Sequence, residues 1–279
     1  MAPLVAFEAW DGWGAWQATR TADDERFNDA YRARLAAIVA AHAGGLEARC
    51  SACGHRGRFR ASADAEAHRE QLACPACRLP GRARAALAVL DDEGLGPEAA
   101  LYATEHGSPL VAQLRRRVHH VATSEFHPAR RPWLRRFRHW IRHGAATHQD
   151  LRALSFPEAV WDAVLCLDVF EHIDTVDTAF AECARVLRPG GVLVATAPFD
   201  ENAEADRRLA TLGEGGDLAW SGAEEWHADP LGGRVPCFHR FGWAMLPRLR
   251  AAGFREAQWC RVHAPDEALF GLWVIRARR

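Results

Sequence analysis

The run Val160–Pro198, VWDAVLCLDVFEHIDTVDTAFAECARVLRPGGVLVATAP, decides the fold. Ala163–Leu167 is a short aliphatic stretch closed by Asp168, which predicts a buried strand. From Val176 the apolar residues fall at Val176, Ala179, Phe180, Cys183, Val186 and Leu187, a helical period that buries one face. Asp174-Thr175 supplies a start signal, and Arg185 and Arg188 load the last turn, where cations suit the helix dipole. Pro189-Gly190-Gly191 stops the helix and turns the chain into a second strand, Val192–Ala197. A strand–helix–strand unit with short connections joins parallel neighbours through a right-handed crossover. Ligands of such sheets bind beyond the carboxyl ends of the strands. Asp168, Glu171, His172 and Pro198-Phe199-Asp200 therefore mark the place for chemistry.

Working outward, the 279 residues suffice for one large domain or a domain with an appendage. Apolar residues make up 49% of the chain, enough for a sizeable core. Net charge is −1, and all 35 basic residues are arginine, so a dedicated nucleic-acid binder is disfavoured by the overall balance. The start, MAPLVAFEAW, lacks a basic n-region and a long apolar core, and no run approaches the length that spans a bilayer. A cytoplasmic location is expected.

Four of the eight cysteines form two pairs, Cys50-x-x-Cys53 and Cys74-x-x-Cys77, with 20 residues between them. Each pair lets a tight turn present two thiolates, and four thiolates close a tetrahedron around Zn2+. A closed four-sulfur site leaves no position for water, so the expected role is structural. A redox pair, or iron in place of zinc, suits two matched pairs less well. Cys166, Cys183, Cys237 and Cys260 read as buried small hydrophobes. Upstream, residues 22–42 predict a helix with Phe27, Tyr31, Leu35, Ile38 and Val39 on one face. Trp10, Trp13 and Trp16 belong either to an arm packed on the body or to a lid over a pocket. The expected organisation is an N-terminal arm and helix over 1–45, a zinc ribbon and linker helix over 46–92, and a larger α/β domain over 93–279.

The opening run resembles the centre of class I S-adenosylmethionine (SAM)-dependent methyltransferases of the type 11-like kind. The likeness rests on the strand ending in Asp168, the Glu171-His172 pair and the string Arg185-Val186-Leu187-Arg188-Pro189-Gly190-Gly191. CSACGHRGRF and CPACRLPGRARAAL add a resemblance to a subgroup in which a CxxC…CxxC ribbon and an arginine-bearing helix precede the catalytic domain. The resemblance implies an α/β, Rossmann-like, seven-stranded sheet with helices on both faces, and SAM as cofactor. It also assigns strand-end residues. Ala99–Thr104 reads as the first core strand. The turn after it departs from the family's glycine-rich loop, but keeps Thr104, Glu105 and Gly107. SAM carries no phosphate, so close backbone approach and one acceptor for its ammonium suffice. His120–Ser124 ends in Glu125, placed to take the ribose hydroxyls. Ala146–Gln149 ends in Asp150-Leu151, placed at the adenine. Asp168 and His172 complete the rim.

Methyl transfer from a sulfonium is an in-line displacement in which positioning does most of the work. For a hydroxyl acceptor a base helps, and His172, His227 and His239 are the candidates. Glu201–Gly222 reads as a flexible insertion, followed by the acceptor region around Glu225–Pro230 and Cys237–Gly242. The string DVFEH replaces the N/D-P-P-F/Y signature of amino methylation of nucleic acids. The expected reaction is O-methylation of a small molecule or saccharide. The alternative is an RNA methyltransferase or a non-catalytic RNA-binding module using the ribbon and the arginine-rich helix ARRPWLRRFRHWIRHG, at residues 129–144.

Overall fold

The computed structural model describes residues 5–19, 33, 37, 41, 45–60, 72–127, 146–228 and 233–279. The arginine-rich helix expected at 129–144 lies outside them. Of the helix expected at 22–42, Ala33, Ala37 and Ala41 are described, and all three are helical and exposed.

In chain order the elements are β1 (Phe7–Trp10), α1 (Trp13–Thr19), β2 (Leu46–Arg49), β3 (Arg56–Phe59) and α2 (Gly81–Asp92). Then come β4 (Ala100–Ala103), α3 (Pro109–Leu114), β5 (His120–Glu125), β6 (Thr147–His148) and β7 (Trp161–Leu167). A short 3-10 turn, Phe170–His172, leads to α4 (Val176–Val186) and β8 (Leu187–Thr196). The short strands β9 (Arg207–Arg208), β10 (Ala210–Leu212), β11 (Leu218–Trp220), β12 (Trp226–Ala228), β13 (Arg234–Pro236) and β14 (His239–Arg240) follow. The described chain closes with α5 (Met245–Ala251), β15 (Glu256–Ala264) and β16 (Leu269–Arg278). Two compact units result: residues 1–95 with 258–276, and residues 96–257 with 277–279.

In the larger unit five strands run parallel in the order β8-β7-β4-β5-β6. From β4 the chain builds outward through β5 and β6, then returns to the other side of β4 with β7 and β8. The order therefore reverses between β4 and β7, and a crevice opens beyond the carboxyl ends of those two strands. Buried apolar residues along β7 and β8 carry this sheet: Ala163–Cys166 and Val192–Ala195 are at most 1% exposed. Near-continuous apolar strands are what a parallel sheet covered on both faces requires.

The Pro-Gly-Gly string behaves differently from expectation. Helix α4 ends at Val186 and β8 begins at once, with Trp161 opposite Leu187 and then Ala163 opposite Val192. Arg188–Gly191 is thus a bulge inside the strand rather than a free turn. Gly190 sits at φ +82°, and a Cβ on Gly191 would lie 2.9 Å from the Arg188 carbonyl oxygen and 3.1 Å from that of Asp162. The two glycines let the C-terminal Arg279 dock: Gly190 N–H donates to Arg279 O, and Arg279 N–H to Gly191 O, both at 2.9 Å.

Residues 201–222, expected to be a flexible insertion, are folded. Trp243 N–H and Ala244 N–H donate to the carbonyls of Ala203 and Glu204, Leu209 N–H to Phe238, and Ser221 N–H to Leu209. Asp206 accepts from Gly242 N–H at 2.8 Å and from the Arg248 guanidinium at 2.6 Å. A Cβ on Gly242 would fall 2.5 Å from two carbonyl oxygens, so only glycine permits this contact. Acids that read as a solvated run instead anchor the segment to the start of α5.

In the smaller unit β1 pairs antiparallel with β15, with Trp10 opposite Trp259. Neither reading of the N-terminal tryptophans included a strand at this position. The rings of Trp10, Trp16 and Trp273 pack at 5.1–5.4 Å, and Trp16 is fully buried. The arm reading describes these rings within the smaller unit; edge-to-face contacts of this kind add to burial.

Candidate functional site

The strand-end residues expected to hold SAM lie at the reversal point of the larger unit. Thr104 N–H donates to Leu165 O at 3.0 Å, carrying the β4–β7 pairing one residue past the strand. The chain then turns through Glu105 and Gly107, with Gly107 at φ +71°, where glycine carries no steric cost. Ser108 caps α3 by accepting from Val111 N–H at 3.3 Å. On the neighbouring strand, Glu125 Oε1 accepts from His106 N–H at 3.0 Å, and the His106 ring contacts Thr123 Oγ1 at 2.8 Å. One carboxylate oxygen thus ties the β4 loop to the end of β5. Asp168, at the end of β7, adopts φ +52°, a strained value for a residue other than glycine. Thr196 Oγ1 donates to its carboxylate at 3.1 Å, and its own N–H reaches Thr196 O at 2.9 Å.

Asp150 closes a tight turn after β6. Arg152 N–H and Nε donate to Oδ1 at 2.9 and 3.0 Å, and Nη2 donates to Oδ2 at 2.6 Å. The Arg152 hydrogen bond holds this carboxyl below the usual carboxylate range. Leu151 beside it is buried. The rest of the loop is held from below by a network the sequence reading did not find. Arg185 grips Glu182 and donates to the carbonyls of Leu154 and Phe156 at 3.0 and 2.9 Å, while Glu182 accepts from Leu154 N–H at 2.7 Å. Arg185 stood out as a helix-end cation; its work is to position the loop that carries Asp150.

A second cluster forms in the region expected to border the acceptor. The Glu171 carboxylate is fully buried, and its Oε1 lies 3.7 Å from both His172 Nε2 and His227 Nδ1. The two imidazole rings meet edge-to-face at 5.0 Å. His172 Nδ1 lies 2.8 Å from the Pro236 carbonyl, which fixes it as the protonated nitrogen, and 3.9 Å from Cys237 Sγ. His227 retains 38% side-chain exposure. Burial, followed by the nearby Glu171, pushes the Cys237 thiol up to about 12. His239 is elsewhere: its Nε2 sits 3.1 Å from Ile173 O and 3.2 Å from Asp174 O, and the residue is 3% exposed. Burial and the Arg208 guanidinium lower its pKa, so it is held neutral. The structure brings His172 and His227 together around Glu171 and assigns His239 to packing. Glu171 and Cys237 were not among the catalytic candidates: Glu171 stood out only as part of the Glu171-His172 pair beyond the strand, and Cys237 read as a buried small hydrophobe.

The four paired cysteines of the smaller unit converge. Cys50 Sγ lies 3.7 Å from Cys77 Sγ, Cys53 Sγ lies 3.7 Å from Cys74 Sγ, and all four sulfurs lie within 4.8 Å of one another. A tetrahedral ion with metal–sulfur bonds of about 2.3 Å has edges of about 3.8 Å, so the group fits. Two matching knuckles make it: Gly54 N–H donates to Cys50 O and Arg78 N–H to Cys74 O, both at 2.8 Å, with Gly54 and Arg78 at φ +76° and +64°. Arg84 on α2 is fully buried, its guanidinium 4.9 Å from the Phe59 ring centroid and bonded to the carbonyls of Leu72, Glu267 and Ala268. Its positive charge would offset that of thiolates at Cys50, Cys74 and Cys77 with an ion bound.

The parallel order and its reversal point define an α/β, Rossmann-like sheet. Residues 107–195 match a family model described as a methyltransferase domain. A probable S-adenosylmethionine-dependent methyltransferase from Mycolicibacterium smegmatis is 37% identical over 97 residues, which are 33% of this chain and 34% of that protein. The chain thus spans about a third of the length of this curated relative. Among solved structures, the amino pentose methyltransferase CalS10 of Micromonospora echinaspora, with SAM bound, shares 22% identity over 73% of this chain and 94% of its own, at a TM-score of 0.44. DesVI of Streptomyces venezuelae shares 18% over 70% and 91%, at 0.45.

Proposed function

We propose that this chain is a SAM-dependent methyltransferase acting on a hydroxyl of a small molecule or saccharide. The observation that carries the reading is the reversal point between β4 and β7, with Glu105, Glu125 and Asp150 at the ends of three successive strands, inside or beside the segment that matches the methyltransferase model. SAM supplies the methyl group as a sulfonium. Glu125, already fixed to the His106 amide, takes the ribose hydroxyls, and Glu105 and Gly107 receive the amino-acid portion. Leu151 packs at the adenine. Asp150 accepts from the adenine amino group only with the capacity that Arg152 leaves it, which makes Glu125 the stronger anchor.

His227 is the acceptor-side residue, since it is half-buried and adjoins the buried Glu171 carboxylate. From that position His227 can take the hydroxyl proton as the oxygen attacks the methyl carbon. His172 orients the pair through its bond to Pro236 O. Zn2+ on Cys50, Cys53, Cys74 and Cys77 is structural, with Arg84 as the compensating charge. The full-length protein incubated with SAM and a panel of sugars, phenols and RNA tests the reading by mass spectrometry of the products. One methyl added to a hydroxylated small molecule is expected. Methylated RNA would replace the acceptor half of the proposal, and methylation of none of the panel, together with no SAM binding, would overturn it.

A further inference from the structure

We infer that His172, His227 and Cys237 form a second metal site, for a divalent transition metal of the zinc class. One donor atom from each residue lies within 4.8 Å of the other two. Metal–nitrogen bonds of about 2.0 Å and metal–sulfur bonds of about 2.3 Å ask for donor separations of about 3.4–3.6 Å in a tetrahedron. Cys237 Sγ lies 3.9 Å from the His172 ring at Nδ1, and with that nitrogen protonated toward Pro236 O the ligand atom of His172 is Nε2. Two imidazoles and a thiolate are borderline-soft donors that select zinc-like ions over magnesium or calcium.

Backbone contacts fix where these donors stand. Phe238 N–H donates to Glu171 O at 2.7 Å, which binds the Cys237 segment to the turn that carries His172. Cys237 N–H donates to Glu225 O at 2.9 Å, and His227 pairs with Val235 across β12–β13. The surroundings also match what an ion needs. Glu171 is fully buried and its carboxylate lies 3.7 Å from His172 Nε2 and from His227 Nδ1, which sets a negative charge beside the ion. A thiolate and a carboxylate together balance a doubly charged cation. Pro236 O accepts from His172 Nδ1 and so fixes its tautomer. Three protein donors leave a position open, and His227 is the exposed side of the cluster. The contrast with the four-cysteine site is chemical: that site is closed and this one can take a ligand.

This inference deepens the acceptor-side reading and rests on it only for its chemical role: with His227 holding the ion, Glu171 replaces it as the proton acceptor. A hydroxyl bound at the open position would lose its proton more readily; its oxygen then forms the new bond to the methyl carbon as the carbon–sulfur bond breaks, and the proton passes to Glu171. The test uses the full-length protein, stripped with a chelator and reloaded with Co2+, with metal content and absorption spectra recorded. Two equivalents are expected in the wild type. His227→Ala and Cys237→Ser should each retain one, with the spectrum of a four-thiolate site, which also reports that they are folded. Cys50→Ser/Cys74→Ser should lose the other. One equivalent in the wild type, or unchanged stoichiometry in His227→Ala and Cys237→Ser, overturns the inference. SAM titration run in parallel separates the two proposals: SAM binding with a single metal equivalent sinks the metal site alone, and two equivalents without SAM binding sink the donor reading alone.

Discussion

The proposed donor end and the proposed acceptor cluster are built on opposite principles. The proposed donor residues sit one per strand at the ends of β4, β5, β6 and β7, so sheet register places Glu105, Glu125, Asp150 and Asp168 side by side. The acceptor cluster draws His172 from a 3-10 turn, His227 from a short hairpin and Cys237 from the segment after it. Nothing periodic brings them together; backbone bonds such as Phe238 N–H to Glu171 O do. Strand ends make a rigid binding surface, whereas short loops can adapt to a particular acceptor. Damage to one region should therefore separate from damage to the other.

The sharpest separation is expected from His227→Ala. Loss of a positioned proton acceptor costs about 10²–10⁴-fold in turnover. SAM affinity, measured by titration, should stay at the wild-type level. A parallel loss of SAM binding would break the distinction between the two regions. Glu125→Ala should do the converse. Hydrogen bonds to a charged group contribute about 1.5–3 kcal/mol, so SAM should bind about 10- to 100-fold more weakly. Turnover at saturating SAM should change far less than in His227→Ala. Asp150→Ala should weaken SAM by less than about tenfold, because Arg152 already consumes most of this carboxylate's accepting capacity. An effect larger than that of Glu125→Ala would reverse the ranking of the two acids.

The smallest effect concerns stability and pH at His239. Burial and Arg208 lower its pKa in the folded chain from the ordinary 6.5. The unfolded chain therefore binds the proton first as pH falls through 6.5, and stability must drop below that pH. Denaturant unfolding of wild type and His239→Phe at pH 7.5 and about 5.5 checks the sign. The wild type should lose stability on acidification, and the variant should show a shallower dependence. An equal slope in both would mean that other groups govern acid sensitivity.

The residues differ in how far sequence alone exposes them. Strand β7, helix α4 and the cysteine pairs could be read directly, because period and spacing are local properties of the chain. Glu125 and Asp150 could be read once the strand ends were placed. The bulge at Arg188–Gly191 could not, since its glycines bond Arg279, far along the chain. Neither could the folded state of 201–222, whose acids look solvated until Arg248 and the Gly242 amide are seen to meet Asp206. Glu171 looked like part of a family string; its burial between two histidines arises from a contact with residues more than fifty positions downstream. Functional contacts made by loops across long sequence separations leave little local signal, and the acceptor cluster is made of them.

Isothermal titration of the folded full-length protein with SAM tests the central claim most directly. Saturable binding at one site per chain is predicted, weakened about 10- to 100-fold in Glu125→Ala and unchanged in His227→Ala. An absence of SAM binding by the folded wild type, or binding indifferent to Glu125→Ala, would contradict the assignment of the β4–β7 reversal point as the donor site.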